Sequence, residues 1–259
     1  MQINFYKYQG AGNDFVMIDN RLEWFDTTNK QLIEKLCNRR FGIGADGLIC
    51  LENDSDFDFK MLYFNSDGNQ STMCGNGGRC IVSFAKYLNI VTKKANFTAI
   101  DGAHKATISL DKVSLQMQDI SDIKIKDNYV FLDSGSPHHI TYYKNIDNLD
   151  VKKLGHVIRY GKPYFKTGTN VNFVAQLNKN TFKVRTYERG VEDETLSCGT
   201  GVTAVAIASH KIGKTSDFEI NLNTKGGNLK VSFTENNGVY KNVFLEGSAV
   251  QVFKGKINI

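Results

Sequence analysis

The tetrapeptide pattern Cys-Gly-x-Gly occurs twice, at Cys74–Gly77 and Cys198–Gly201, and a helical spacing of apolar residues follows each copy. The surroundings repeat as well. A strand pattern ends 11 residues before each cysteine, at Tyr63 and at Tyr187, and a glycine turn follows each cysteine after 28 residues. Strand, cysteine, helix and turn therefore recur with a period of 124 residues. One long-period duplication predicts two pseudo-equivalent α/β halves rather than a solenoid, which needs shorter and more numerous repeats.

Alternating apolar and polar residues dominate the remaining chain and predict strands with one buried face. The predicted strands cover residues 57–64, 105–110, 113–117, 182–187 and 228–233. Besides the two helices that follow the cysteines, the spacing predicts one around Leu32–Leu36, ended by a glycine turn, and another over Leu149–Ile158. The helix after Cys198 is apolar nearly all round, which indicates that it is buried.

Composition narrows the class of protein. The 259 residues are 41% hydrophobic and carry a mild net charge of +5, and the basic runs are too short for a nucleic-acid footprint. Membrane-spanning stretches and a secretion signal are not found, so we expect a cytoplasmic protein. The five cysteines are odd in number and form no C-x-x-C pair. We therefore expect reduced thiols, no metal site and no partner among nucleic acids or membranes.

The two repeated cysteines suggest proton chemistry. A helix N-terminus offers unpaired N–H groups and the positive end of the helix dipole, which stabilise a thiolate. Inversion of a stereocentre needs a base on one face of a carbon and an acid on the other, and Cys74 and Cys198 can supply both. Isolated cysteines of this kind are more often small packing residues, and we assign Cys37, Cys50 and Cys80 to that role. The register-matched duplication favours function for the pair.

Further sequence blocks carry a family resemblance. They are Lys7–Val16, Arg39–Gly47, Phe64–Gly68, Cys74–Cys80, Gly135–His138, Gly168–Phe173, Glu188–Gly190 and Cys198–Gly201. In this order and over nearly the whole chain, the blocks resemble those of diaminopimelate epimerases. Any one block alone is weakly specific.

The resemblance implies a cofactor-independent isomerase that interconverts LL- and meso-2,6-diaminopimelate in lysine and peptidoglycan-precursor synthesis. It also implies an α/β (α+β) fold with two pseudo-symmetric halves, each a mixed, mostly antiparallel sheet wrapped around a central helix, with the active site in the cleft between them and a homodimer as the assembly. We expect residues 1–119, joined by the final strand at about 246–259, to form the half with Cys74. Residues 120–245 would form the half with Cys198.

The resemblance also assigns residue roles. Cys74 and Cys198 would be the base and acid, and His138 and Glu188 would tune the protonation of the site. At the helix N-termini, the reacting carboxylate would be held by Gly75, Asn76, Gly199 and Thr200. The other substrate groups would be bound by Asn13, Asn65, Ser136, Asn170, Glu188 and Arg189.

Two departures from the family pattern are visible. Many members have Asn where this chain has Ser136. We therefore expect one substrate hydrogen bond to be made by a shorter side chain or through a water molecule. The loop before Cys198 is one residue longer than the common form and contains an acidic stretch at 192–194, which we expect to face solvent because inward charges would disfavour a thiolate.

Two alternatives stay open, and a third does not fit the cysteine pair that this chain has. A proline- or histidine-racemase-like enzyme would share the two cysteines but show other blocks around them. A phenazine-biosynthesis-type isomerase would lack the cysteine pair. A non-catalytic amino-acid-binding module would need the N–H donors of the helices but no sulfur.

Overall fold

The computed structural model describes residues 2–259, which contain 17 strands and four helices. The helices are α1 (Lys30–Cys37), α2 (Gly75–Tyr87), α3 (Val151–Tyr160) and α4 (Gly199–Lys211). Within residues 2–259 no helix combines the length and apolarity needed to cross a bilayer. The chain divides into two compact units. One runs up to Leu115 and resumes at Gly247–Ile259, and the other is Gln116–Glu246.

The first unit is built on eight strands. These are β1 (Gln2–Gly10), β2 (Asn13–Asp19), β3 (Gly47–Glu52), β4 (Phe59–Asn65), β5 (Lys94–Ala99), β6 (Gly102–Ser109), β7 (Lys112–Gln116) and, from the end of the chain, β17 (Val250–Asn258). The strands between β7 and β17 belong to the second unit. The strands of the first unit are ordered β17-β1-β2-β3-β4-β5-β6-β7, with β2–β3 and β4–β5 parallel and the other neighbours antiparallel. Helix α2 packs against six of these strands and buries its first turns completely.

The second unit has nine strands. These are β8 (Ile123–Ile125), β9 (Val130–Asp133), β10 (Pro137–Tyr142), β11 (Asn170–Asn178), β12 (Thr181–Glu188), β13 (Asp193–Thr195), β14 (Glu219–Thr224), β15 (Gly227–Asn236) and β16 (Val239–Ser248). The main order is β8-β9-β10-β11-β12-β14-β15-β16, with β10–β11 and β12–β14 parallel and the other neighbours antiparallel. Short β13 adds to β12. Helix α4 packs against six of the strands and is buried nearly all round, as its apolar sequence predicts.

The predicted strands and helices are present, with shifted ends that have local causes. Strand β4 begins at Phe59 rather than Phe57, because the Phe57 N–H donates to the Asp54 carboxylate in the preceding turn. Helix α3 begins at Val151 rather than Leu149, because Asp150 is its N-cap and accepts a hydrogen bond from the backbone N–H of Lys153.

Candidate functional site

Cys74 is the N-cap residue of α2. Its backbone is extended (φ −106°, ψ 148°), and the backbone N–H of Gly77 donates to its Sγ at 3.1 Å. The thiol is half-buried. A Cβ on Gly77 would lie 3.1 Å from this Sγ and 3.1 Å from the side chain of Ile49, so the close approach of helix and sulfur depends on glycine. Sulfur held against helix N–H groups is an environment that favours thiolate.

Asn76 and Asn13 lie together beside this helix N-terminus. The Asn76 Nδ2 donates to the Asn13 Oδ1 at 3.4 Å, and the Asn13 Nδ2 donates to the Asp46 carboxylate at 2.6 Å. Asp46 in turn accepts from Arg39 at 2.8 Å. Its backbone C=O also accepts from the N–H of Ser66, directly after Asn65 at the end of β4. The structure therefore brings Asn13, Asn76 and the strand end at Asn65 into one polar region of the first unit.

Asp14 anchors the ion pairs of this region. It pairs with Lys7 at 2.7 Å and with Arg39 at 2.7 Å. Burial alone would raise the pKa of the Asp14 carboxyl, but hydrogen bonds and charge from Arg39 and Lys7 hold it well below its usual range. These charges are thus neutralised within their own cluster.

Arg79 was not among the predicted site residues, yet it lies fully buried in the second turn of α2. Its guanidinium donates to the carbonyl oxygen of Gly75 at 3.1 Å and to the Asn76 Oδ1 at 2.9 Å. The side chain therefore runs back along the helix toward the cysteine.

Cys198 is the N-cap residue of α4, with an extended backbone (φ −127°, ψ 115°) and a buried side chain. Unlike Cys74, it makes no side-chain capping bond to the helix backbone. Its Sγ instead lies 3.4 Å from the hydroxyl oxygen of Thr200. A Cβ on Gly201 would meet the Asn172 Oδ1 at 2.6 Å, so this helix start also depends on glycine.

A chain of hydrogen bonds leads from Cys198 into the second unit. The Nε2 of His138 lies 2.9 Å from the Thr200 hydroxyl, and the Nδ1 lies 3.0 Å from the Nδ2 of Asn172. The Asn172 amide is oriented by its other bonds, because Nδ2 donates to a backbone C=O and Oδ1 accepts from the hydroxyl of Thr186. An amide nitrogen can only donate, so Nδ1 of His138 is the acceptor and Nε2 carries the proton. Thr200 is then free to donate toward the sulfur.

His138 is neutral in this position. Burial, together with the smaller effect of the nearby positive charge of Arg189, lowers the pKa of its imidazole to about 3. The Cys198 surroundings therefore hold polar donors but no full charge on this histidine.

Asn170 organises the remaining predicted residues of the second unit. Its Nδ2 donates to the hydroxyl of Ser136 at 2.9 Å and to the carbonyl of Pro137 at 3.0 Å. Its Oδ1 accepts from the backbone N–H of Arg189 at 2.9 Å, while the Arg189 guanidinium donates to the carbonyl of Thr167 at 3.0 Å. Ser136, Asn170 and Arg189 are thus together, and half-buried Glu188 ends β12 beside them.

The acidic stretch before Cys198 faces solvent only in part. Residues 193–195 form β13, and Glu194 is largely buried in ion pairs with Arg185 at 2.7 Å and Lys225 at 2.8 Å. Glu192 accepts from the Tyr187 hydroxyl at 2.9 Å. For Glu194 the expectation was wrong, because it weighed the local run of charge without the basic partners that the sheet brings to this residue.

The other cysteines are packing residues. Burial raises the pKa of the Cys37 and Cys80 thiols to about 12 and that of Cys50 well above its ordinary value. Over residues 2–259 no group of three or more His, Cys, Asp or Glu side chains has a geometry suited to a metal ion.

Comparison with known proteins identifies the relatives. The family model described as diaminopimelate epimerase matches residues 5–120 and 130–252. A diaminopimelate epimerase of Flavobacterium psychrophilum is 60% identical over 253 residues, covering 97% of this chain and 99% of the relative. One from Chlorobaculum tepidum is 44% identical over 259 residues, covering 96% and 99%.

Solved structures resemble the fold. A phenazine biosynthesis protein of the PhzF family from Bacillus anthracis superimposes with a TM-score of 0.80 at 14% identity, over 100% of both chains. A hydroxyproline epimerase from Agrobacterium vitis, with bound trans-4-hydroxy-L-proline, gives 0.69 at 13% identity, over 99% of this chain and 92% of the other. These distant likenesses concern the fold alone. The family match and the close relatives place the chain in the diaminopimelate epimerase family, a family of isomerases.

Proposed function

We propose that this chain interconverts LL- and meso-2,6-diaminopimelate without a cofactor, with Cys74 and Cys198 as the two proton-transfer groups. One cysteine, as thiolate, removes the α-proton and becomes a thiol. The other, as thiol, delivers a proton to the opposite face of the same carbon and becomes a thiolate. The roles reverse for the opposite stereoisomer. The observation that carries the proposal is that both cysteines N-cap a buried helix that begins Gly-x-Gly.

The carbanion-like transition state needs electrostatic stabilisation. Backbone N–H groups at the starts of α2 and α4 would bind the α-carboxylate, and they cost no reorganisation when charge develops. Gly75, Asn76, Gly199 and Thr200 are the proposed donors on the two sides. Because the reaction needs one thiolate and one thiol at the same time, only the singly deprotonated pair is productive. This predicts a bell-shaped pH–rate profile.

We propose that the two compact units are copies of one ancestral half. The order of pairings supports this. Each main sheet reads antiparallel, antiparallel, parallel, antiparallel, parallel, antiparallel, antiparallel from one edge to the other. In each unit the cysteine-capped helix follows the fifth strand in that order and packs against six strands. The predicted division at 119/120, with the final strand returned to the first half, is part of this proposal.

The polar residues around each cysteine are proposed to bind the substrate. Asn13, Asn65 and Asn76 would contact its amino and carboxylate groups from the first unit. From the second unit, Ser136, Asn170, Glu188 and Arg189 would hold the distal centre. Asn170 already uses both amide hydrogens within the protein, so its contribution to substrate is through Oδ1 or through the position of Arg189. His138 and Glu188 are proposed to tune protonation at Cys198.

We further propose a homodimer that works in the cytoplasm. Exposed apolar side chains of the first unit, among them Leu22, Val252 and Phe253, offer surface for a second copy. Light scattering combined with size-exclusion chromatography tests this part, and a monomer at micromolar concentration would contradict it.

The mechanism is tested by proton exchange in D₂O with each diaminopimelate stereoisomer. The unchanged enzyme is expected to incorporate deuterium at the α-carbon of both isomers while inverting them. Cys74→Ala and Cys198→Ala should each lower the inversion rate by about 10²–10⁴-fold or more, the range contributed by one acid–base group. A single-cysteine variant can still exchange the isomer whose proton faces the remaining thiolate.

Cys37→Ala is the matched control, because it removes a buried thiol outside the two helix starts. It should leave inversion unchanged. Inversion at the normal rate in Cys198→Ala would overturn the two-base mechanism. Turnover of proline or hydroxyproline with no action on diaminopimelate would overturn the substrate assignment and leave the mechanism intact.

A further inference from the structure

Arg79 is a fully buried guanidinium with no carboxylate partner. Its relative exposure is 0%, none of the ion pairs within residues 2–259 includes it, and its Nε has no hydrogen-bond acceptor. Its two terminal nitrogens donate to neutral oxygens of its own helix, at Gly75 and Asn76. A cation placed so deeply is costly unless a negative charge lies nearby.

Two thiols, those of Cys80 and Cys74, would act electrostatically on Arg79 in their ionised forms. Cys80 is not the counter-charge, because burial raises the pKa of its thiol to about 12 and keeps it neutral at physiological pH. Cys74 is only half-buried and also sits at the positive end of α2. Of the two thiols, Cys74 is therefore the one placed to supply a balancing negative charge.

Other charged groups on the strands that pack against α2 are occupied elsewhere. Asp14 of β2 pairs with Lys7 of β1 and with Arg39. Glu52 of β3 pairs with Lys60 of β4. Further partners are Tyr8 of β1, which interacts electrostatically with Cys80, and Lys254 of β17, which donates to the hydroxyl of Tyr87. None of these groups neutralises Arg79.

Arg79 also fixes the orientation of Asn76. Because the guanidinium occupies the Asn76 Oδ1, the Nδ2 is turned outward to the Asn13 Oδ1. The amide thus presents donor hydrogens, not its oxygen, at the start of the helix. A donor is what an anionic carboxylate requires there.

We propose that Arg79 is a positioning residue that holds Cys74 as the thiolate of the free enzyme and aims the Asn76 amide at the substrate carboxylate. The inference rests on the proposed function of Cys74 as an acid–base group. It assigns the resting negative charge to Cys74 and the resting proton to Cys198.

The test titrates each cysteine separately. The protein is alkylated with iodoacetamide over pH 5–10, and the Cys74 and Cys198 peptides are quantified by mass spectrometry. In the unchanged enzyme the midpoint for Cys74 is expected below that for Cys198. Since an adjacent opposite charge shifts a pKa by about 1–3 units, Arg79→Met should raise the Cys74 midpoint and lower its alkylation at pH 7 about tenfold. The Cys198 midpoint should stay unchanged.

Arg79→Lys separates the two roles. It keeps the charge but loses the fork that holds Asn76, so the Cys74 midpoint should stay within about half a unit while KM rises. In Arg79→Met, kcat/KM at pH 7 should fall about tenfold or more and recover partly at higher pH, which a simple packing defect would not produce.

Three outcomes overturn the inference. They are an unchanged Cys74 midpoint in folded Arg79→Met, an equal shift of both cysteines, or a lower midpoint for Cys198 than for Cys74 in the unchanged enzyme. The last needs no variant, so the inference stays testable even if Arg79→Met does not fold. Alkylation does not require turnover, so these results are independent of whether Cys74→Ala retains epimerase activity.

Discussion

The starts of α2 and α4 share one hydrogen bond but differ in their electrostatics. Five residues after each cysteine, a side chain donates to the carbonyl oxygen of the residue that follows the cysteine. In α2 it is Arg79, at 3.1 Å from the Gly75 oxygen, and in α4 it is Thr203, at 2.9 Å from the Gly199 oxygen. One position in the repeat therefore carries a full positive charge in the first unit and a neutral hydroxyl in the second.

The difference shows how two cysteines in similar settings can differ in their resting charge. A bond to a neutral group contributes about 0.5–1.5 kcal/mol, and a bond to a charged group about 1.5–3 kcal/mol. Cys198 has a neutral donor chain through Thr200 and His138, whereas Cys74 lies near a buried guanidinium. We infer that two equivalent thiols would share the resting charge equally, and that this asymmetry gives it to one of them.

Among changes that keep both cysteines, the largest expected effect comes from filling the helix start of α4. In Gly201→Ala the new Cβ would lie 2.6 Å from the Asn172 Oδ1, and that amide is held by His138 and Thr186. Such overpacking costs about 1–3 kcal/mol of stability. Because a shift near 1 Å can cost about 100-fold in rate, we expect kcat to fall by that factor, measured by inversion at saturating diaminopimelate.

Gly77→Ala is the matched variant in the first unit. Its Cβ would lie 3.1 Å from the Cys74 Sγ and from the end of the Ile49 side chain, which can move. The gain in helix propensity, about 1 kcal/mol, is the same in both variants. Its losses in rate and stability should therefore be smaller. The reverse order would show that the second site is not the more rigid one.

The next effect tests the uncharged hydrogen bonds that link Cys198 to Thr200 and His138. Thr200→Val removes the hydroxyl that lies 3.4 Å from the sulfur and leaves the buried Nε2–H of His138 without its acceptor, at a cost of about 1–3 kcal/mol. We expect activity to fall about 10-fold and the alkylation midpoint of Cys198 to rise. Thr200→Ser keeps the hydroxyl and should restore both the activity and the alkylation midpoint. A loss of activity in Thr200→Ser as large as that in Thr200→Val would argue against a role for these hydrogen bonds.

Sequence patterns predicted what local physics decides. Alternation predicted the strands, and the pattern Cys-Gly-x-Gly predicted that Cys74 and Cys198 lie at helix N-termini, because glycine is what permits a backbone to approach the sulfur so closely. Asn170 and His138 were singled out through family blocks, and they pair directly across parallel strands β10 and β11. Their roles in catalysis remain predictions.

Contacts made by distant segments were missed. Asn172 lies two residues from Asn170 in an apolar strand, and a polar residue there was the signal available. Arg79 lies in the family block Cys74–Cys80, but an arginine in a helix is ordinarily exposed. Its guanidinium packs beside Gly10 of β1, where an added Cβ would lie 3.4 Å from it. Glu194 was expected in solvent because Arg185 and Lys225 are far from it in the pattern of local charge.

Acid should weaken the second unit before the first. Burial lowers the pKa of His138 to about 3 and that of His139 to about 4. In the unfolded chain a histidine takes up its proton near pH 6.5, so stability present above that pH is lost as the pH falls toward the folded values. Each such group costs up to about 1.4 kcal/mol per pH unit in this window. In the first unit, Asp14 acts only below about pH 4, because its folded pKa lies under its usual range.

Hydrogen exchange at pH 7, 5.5 and 4.5 measures this order, since it reports each unit separately. Protection should decline first in α4 and β10–β12. Urea unfolding of His138→Gln should show a shallower loss of stability between pH 6.5 and 4.5, whatever its stability at pH 7. An equal pH slope in the variant and the unchanged protein would remove His138 from this account.

The smallest expected effect tests the position where the helices differ. Thr203→Val keeps the shape of the side chain and removes one bond to the Gly199 carbonyl. That oxygen can still accept the backbone N–H of the following helical turn, so the cost should be about 1 kcal/mol or less. Inversion should stay within about twofold of the unchanged rate, and the Cys198 alkylation midpoint should not move. A loss as large as that in Arg79→Met would mean that Arg79 and Thr203 both act through their hydrogen bonds alone. The charge of Arg79 would then not be the cause of a difference in pKa between the two cysteines.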